Sequence, residues 1–153
     1  MRQFAMVCAA ALVVLLPSTS HAAKERESLP IAVGIDLGGG YWFLNTAQFD
    51  LHLRVEFSLH RVVAIGLRPG LLLNVRPSVE VGLPLDAYVR FRVSRVYFDV
   101  LGGMAILFGN PYPIRAHVAG GIGVFVIKGF SIGVEAGWLQ DGAQILARLA
   151  FTF

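Results

Sequence analysis

Residues 49–60 read Phe49-Asp50-Leu51-His52-Leu53-Arg54-Val55-Glu56-Phe57-Ser58-Leu59-His60. Phe49, Leu51, Leu53, Val55, Phe57 and Leu59 hold one parity; Asp50, His52, Arg54, Glu56, Ser58 and His60 hold the other. Successive side chains of an extended strand point to opposite faces, so this unbroken alternation defines a strand with one apolar and one polar face. A helical period does not fit it.

The same two-residue period extends in both directions. Upstream, Ile31, Val33, Ile35 and Leu37 alternate with Ala32, Gly34, Asp36 and Gly38, and residues 38–48 are expected to form the longest connection. Downstream, alternation returns from Val63, Val79, Val96, Ile114 and Phe130, separated by expected turns at His60-Arg61, Ser94-Arg95 and Lys128-Gly129 and by loops over 74–78 and 109–113. The last segment, Ala143 to Phe153, sets Ile145, Ala147, Leu149, Phe151 and Phe153 against Gln144, Leu146, Arg148, Ala150 and Thr152. Eight strands result. Most have the roughly ten residues that a tilted strand needs to cross a hydrocarbon layer.

Charge decides which face is outside. After Pro30 there are 18 charged residues, and 13 of them share the polar parity: Asp36, Asp50, Arg54, Glu56, Arg68, Glu80, Asp86, Arg90, Arg92, Asp99, Arg115, Glu135 and Arg148. The other five, Arg61, Arg76, Arg95, Lys128 and Asp141, fall in turns or loops, so none interrupts the apolar face. An eight-stranded barrel has an interior just wide enough to be filled by side chains, which suits the polar set with its glycines and alanines but not a Leu, Val, Ile or Phe at nearly every position. The apolar set is therefore expected to face lipid.

If the strands run up and down, Phe57, Phe91, Phe98, Phe130, Phe151 and Phe153 fall at one rim, and Tyr41, Trp42, Phe43, Phe49, Phe108, Tyr112 and Trp138 at the other. Two aromatic girdles around an aliphatic band are a feature of membrane barrels. With seven acidic and six basic members, the inward charges are expected to pair into a plug, joined by His52 and His117.

The alternating final strand closed by Phe153 resembles the end signature of bacterial outer-membrane β-barrel proteins. Over residues 31–153 the plan is similar to the small eight-stranded members, of the outer membrane protein X and outer membrane protein A transmembrane-domain type. The fold expected is all-β: an eight-stranded antiparallel up-and-down transmembrane β-barrel. The resemblance implies an outer-membrane location with both termini periplasmic, contacts with outer-membrane lipids, and recognition of Phe151 and Phe153 by the barrel assembly machinery. It also allows an envelope protein as partner. Three of the four outward connections are very short, unlike the long loops through which such relatives often act.

Residues 1–22 read as a secretory signal peptide: Arg2, an apolar run from Phe4 to Leu16, and a Ser20-His21-Ala22 cleavage site. Cleavage would remove Cys8, the only cysteine, and leave a charged tail over 23–30. The net charge of +3 and the lack of a basic run argue against a nucleic-acid partner.

Candidate chemistry is thin. Val33 to Gly40 resembles the phosphate-binding turn of sugar kinases and actin-like ATPases, but the helices and second lobe of that fold have no counterpart here. His52, His117 and Glu135 could be read as part of a lipid hydrolase, as in lipid A deacylases, yet His117-Val118-Ala119 lacks the serine of their His-x-Ser pattern. His52 and His117 with Asp50 or Glu56 have no diagnostic metal spacing. No catalytic residue, cofactor or metal is expected, and the function anticipated is a structural or docking one, with a lipid-modifying enzyme as the alternative.

Pro69 and Pro84 lack an amide donor and lie in neighbouring strands. If Leu73 faces Val79, Arg68 falls opposite Pro84 and Pro69 opposite Leu83, which would put two missing donors side by side in one lateral seam.

Overall fold

The structure is a computed structural model and describes residues 31–42, 46–75, 79–109, 111–139 and 142–153. The expected signal peptide and tail, together with Phe43, Arg76 and Asp141, lie outside the described residues.

Eight antiparallel strands form one closed barrel: β1 (Ile31–Trp42), β2 (Thr46–His60), β3 (Val63–Val75), β4 (Val79–Val93), β5 (Val96–Leu107), β6 (Ile114–Ile127), β7 (Phe130–Leu139) and β8 (Gly142–Thr152). Each strand pairs with its sequence neighbours, and β8 returns to β1 with Leu149 opposite Leu37. Closure leaves no sheet edge unpaired.

Alternation decides the two faces. Leu51, Leu53, Leu67, Leu71, Leu85, Val100 and Leu149 are exposed on the outer wall, whereas Asp36, Arg54, Arg68, Asp86, Arg90, Asp99, Glu135 and Arg148 are buried inside. This inverts the arrangement of a water-soluble barrel. Phe57, Phe91, Phe98 and Phe151 are exposed toward the end that carries Ile31 and Phe153, and Phe130 stacks on its cross-strand partner Phe151 at 4.9 Å. Tyr41, Phe49, Phe108, Tyr112 and Trp138 are exposed toward the other end.

Three expectations need correction. The glycine-rich segment 38–40 is strand, not connection, and the chain between β1 and β2 shortens to 43–45. Gly38, Gly39 and Gly40 pair with Asp50, Phe49 and Gln48 on one side and with Arg148, Ala147 and Leu146 on the other. Here glycine serves close approach: a Cβ on Gly40 would lie 2.7 Å from the Cα of Leu146.

The first turn falls at Arg61-Val62 instead of His60-Arg61, because β2 carries an irregularity between Ser58 and His60 that delays the reversal. Trp42 is not a girdle residue: it is 5% exposed and packs inside with Leu72, Ala105, Leu107 and Leu139.

Candidate functional site

Among the described residues, the polar interior is the one constellation of chemistry-bearing side chains that the fold assembles on a large scale, and Arg148 of β8 is its hub. Its Nη2 donates to Asp36 Oδ2 at 2.8 Å, and its Nη1 donates to Glu135 Oε2 at 3.0 Å and to Asp99 Oδ2 at 3.2 Å. Glu135 also accepts from Arg68 Nη1 at 2.8 Å. Arg90 grips Asp99 with two parallel bonds, Nε to Oδ1 at 2.7 Å and Nη2 to Oδ2 at 2.8 Å. Such a planar two-point match is the strongest geometry available to an arginine and a carboxylate.

The network continues toward the end that carries Ile31 and Phe153. Glu56 Oε2 accepts from Arg90 Nη1 at 3.0 Å and from the Tyr88 hydroxyl at 2.9 Å, and its other oxygen pairs with Arg92. The Arg90 guanidinium carbon lies 4.3 Å from the centre of the Tyr97 ring and 5.4 Å from that of Tyr88, within range of cation–π attraction. Asp36 also faces Arg54 at 3.6 Å, and Arg54 donates to the Thr152 hydroxyl. Every strand except β6 contributes to this chain of contacts. β6 contributes room instead, since Gly121 and Gly123 lie beside Arg148 and Tyr97.

Charges in a low-dielectric interior persist only when paired, and here five arginines (Arg54, Arg68, Arg90, Arg92, Arg148) share four carboxylates (Asp36, Glu56, Asp99, Glu135), although single atoms such as Asp36 Oδ1, Arg68 Nε and Arg148 Nε have no hydrogen-bond partner.

A second group lies toward the other end. His117 Nδ1 is 2.8 Å from Asp86 Oδ1, and its Nε2 is 2.5 Å from Gln144 Nε2. With the carboxylate accepting, the imidazole carries its proton on Nδ1 and accepts the Gln144 amide at Nε2. Gln48 Nε2 donates to both oxygens of Asp50 at 3.2 Å. Nearby, Trp42, Leu72, Ala105, Leu107 and Leu139 form an apolar cluster in the barrel interior. Gly142 makes the indole possible, since a Cβ there would stand 2.9 Å from Trp42 Cδ1.

His52 is buried but does not share a partner with His117, and Glu56 is committed to Arg90, Arg92 and Tyr88. Among the described residues no group of three or more His, Cys, Asp or Glu is placed to hold a metal. Glu80 and Arg115 sit half-buried on the inward parity, and both have interaction partners. The Val33 to Gly40 segment lies within β1, paired on both sides, so its amides cannot cradle a phosphate.

The register beside the prolines differs from expectation by two residues. Leu73 faces Val81, Arg68 faces Asp86 and Pro69 faces Leu85. Pairing of β2 with β3 is interrupted between His52/Gly70 and Val55/Leu67, next to Pro69. Pairing of β3 with β4 is interrupted between Pro69/Leu85 and Leu72/Gly82, next to Pro84. The two missing donors therefore weaken different ladders, one on each side of β3, instead of lying together in one.

Several members of the interior were not singled out from sequence as a site. Tyr88, Tyr97, Gln144 and Thr152 carried the inward parity as their signal. Trp42, Thr46 and Gln48 were hidden because 38–48 reads as a loop.

No protein-family model matches the chain, and no curated protein matches it. Among solved structures it is similar to a de novo designed transmembrane β-barrel, at 18% identity over 84% of this chain and 99% of that one, with a TM-score of 0.61. It is also similar to the outer membrane protein Ail of Yersinia pestis, at 12% identity over 80% and 98% of the two chains, with a TM-score of 0.55. For the N-terminal β-barrel domain of Pseudomonas aeruginosa OprF the identity is 17% over 80% and 97%, with a TM-score of 0.52. These similarities show a shared fold, that of the small eight-stranded outer-membrane barrels.

Proposed function

We propose that the protein is a non-enzymatic integral barrel of the bacterial outer membrane with a side-chain-plugged lumen, acting as a structural or docking element of the cell envelope. The observation that carries this reading is the joint placement of charges and apolar side chains. Arginine–carboxylate pairs bridge the interior across seven strands, while the outer wall is aliphatic between two aromatic rims. A continuous pairing network across the lumen favours stiffness over conduction. The short connections 43–45, 76–78, 108–113 and 140–141 disfavour a receptor built on long loops.

In this reading both termini face the periplasm and the wall contacts outer-membrane lipids. The barrel assembly machinery recognises the closing strand through Phe151 and Phe153, whose rings stand exposed at its end. A further envelope protein is a candidate partner. The chain purified and refolded in detergent should migrate faster on a gel when unheated than when boiled, and in planar bilayers it should give no stable conductance steps. Complete solubility without detergent would overturn the membrane assignment, and steady conductance would overturn the plug.

The enzymatic alternative, an acyl hydrolase or acyltransferase acting on lipopolysaccharide or phospholipid, is weakened by the commitment of both His117 nitrogens to Asp86 and Gln144. The Asp86 contact at Nδ1 is one that an orienting acid makes, but Nε2, the nitrogen that would activate a hydroxyl, is occupied by the Gln144 amide. Incubation with lipopolysaccharide and phospholipid followed by mass spectrometry should show unchanged acyl chains. An acyl change that His117→Ala abolishes would replace the structural reading with the enzymatic one.

The interrupted ladders on both sides of β3 favour one addition to this proposal, transient lateral opening of the wall at Pro69 and Pro84.

A further inference from the structure

Three two-residue turns close hairpins at the rim that carries the termini: Arg61-Val62, Ser94-Arg95 and Lys128-Gly129. Each presents one basic residue, and Arg61, Arg95 and Lys128 are all exposed. None of the three turns contains an acidic side chain. Because the turns join β2 to β3, β4 to β5 and β6 to β7, the cations are distributed around the barrel instead of gathered on one side. The opposite rim lacks this bias. Its connecting sequences hold one arginine, Arg76, and one aspartate, Asp141.

The setting of these cations selects their partner. Beside them stand large exposed aliphatic side chains: Leu59 and Val62 near Arg61, Val93 near Arg95, and Ile127 next to Lys128. Just inward lies the phenylalanine girdle of Phe57, Phe91, Phe98 and Phe151. A turn surrounded by water alone has no reason to expose so much aliphatic surface. A turn at the boundary between acyl chains and headgroups would bury the aliphatic groups and aromatic rings while the long cationic side chains reach phosphates.

Resting on the membrane reading above, we propose that Arg61, Arg95 and Lys128 form a cationic collar that selects anionic phospholipid headgroups around the terminus-bearing rim. The ligand chemistry is a phosphodiester with net negative charge, as in phosphatidylglycerol, held by charge at three separated points and by apolar contact below each. Basic residues near a membrane surface each contribute attraction that decays within a Debye length, so the selection should be strong at low salt and fade as salt rises.

The test uses the full chain reconstituted in phosphatidylcholine vesicles containing spin-labelled phosphatidylglycerol or spin-labelled phosphatidylcholine. Electron spin resonance then gives the fraction of each label immobilised at the protein surface. Wild type should prefer the anionic label by about fivefold at low salt, the factor expected from about one effective basic contact. The triple variant Arg61→Gln, Arg95→Gln, Lys128→Gln should lose most of that preference while keeping its heat-modifiable band, and Arg61→Lys with Arg95→Lys should retain it. Equal immobilisation of the two labels by wild type, or a preference that survives in the triple glutamine variant, would overturn the collar. A preference matched by competition from free inorganic phosphate would overturn headgroup selection in favour of simple anion binding. Failure of wild type to enter vesicles of either composition would overturn the membrane reading itself.

Discussion

Arg148 touches three carboxylates that have no bulk water to fall back on, which makes it the most consequential side chain of the interior. Asp99 and Glu135 keep Arg90 and Arg68 when Arg148 is lost, but Asp36 keeps only the 3.6 Å contact with Arg54. Breaking a buried pair from one side costs about 3–5 kcal/mol because the abandoned charge stays buried. Arg148→Met should therefore lower unfolding free energy by that order, read from urea titrations in vesicles by tryptophan fluorescence. A loss under about 1 kcal/mol would mean that water already reaches Asp36. Gly40 and Gly39 offer a sharper contrast, because they are chain neighbours of opposite parity. Gly40→Ala must displace the β8 backbone and should cost about 1–3 kcal/mol, as overpacking does. A Cβ on Gly39 meets nothing nearer than the Phe49 ring at 3.7 Å, so Gly39→Ala should stay within about 0.5 kcal/mol of wild type.

At the scale of the element, β3 differs from the other strands. Its pairing is broken toward β2 beside Pro69 and toward β4 beside Pro84, while β1 pairs without a gap on both sides. Amide hydrogens in segments 68–71 and 83–85 should exchange at least about tenfold faster than those of 34–38, since local opening tracks lost backbone pairing. Uniform protection across β1, β3 and β4 would eliminate lateral opening at the prolines. β8 makes the opposite prediction for the growing chain. Thr152 and Phe153 are tied by backbone bonds to Gly129 and Val33, so the last residues complete both neighbouring ladders. Removing Phe153 should reduce the amount assembled in cells, measured as the heat-modifiable band, more than it reduces the stability of the refolded barrel. Normal assembly would exclude Phe153 as a recognition signal.

For the whole molecule, the outer surface and the interior have exchanged the roles they have in a soluble barrel. The interior is held largely by charge pairing, with one apolar cluster about Trp42, and in the proposed membrane setting acyl chains would cover the exterior. The fold was legible because a wall with one apolar and one polar face imposes a strict period. Each charge in β2, from Asp50 through Arg54 to Glu56, keeps one parity and is buried inside. The mistaken loop at 38–48 has an equally physical origin: glycine signals a turn in sequence, but in a narrow barrel it also marks where backbone and bulky side chains crowd. Trp42 and Gln48 were lost to the same misreading.

What the sequence determined by itself was parity: which strand residues face inward, how many strands there are, and, Trp42 excepted, which of the described aromatics lie near which rim. These follow from local geometry, because a strand has only two faces. What the tertiary structure alone decided was partnership: that Arg148 meets Asp36, Glu135 and Asp99, that His117 sits between Asp86 and Gln144, and that Pro69 and Pro84 interrupt different ladders. Strand tilt and register set these meetings, and both arise from closing the sheet on itself, so a one-dimensional pattern of alternation holds no record of them.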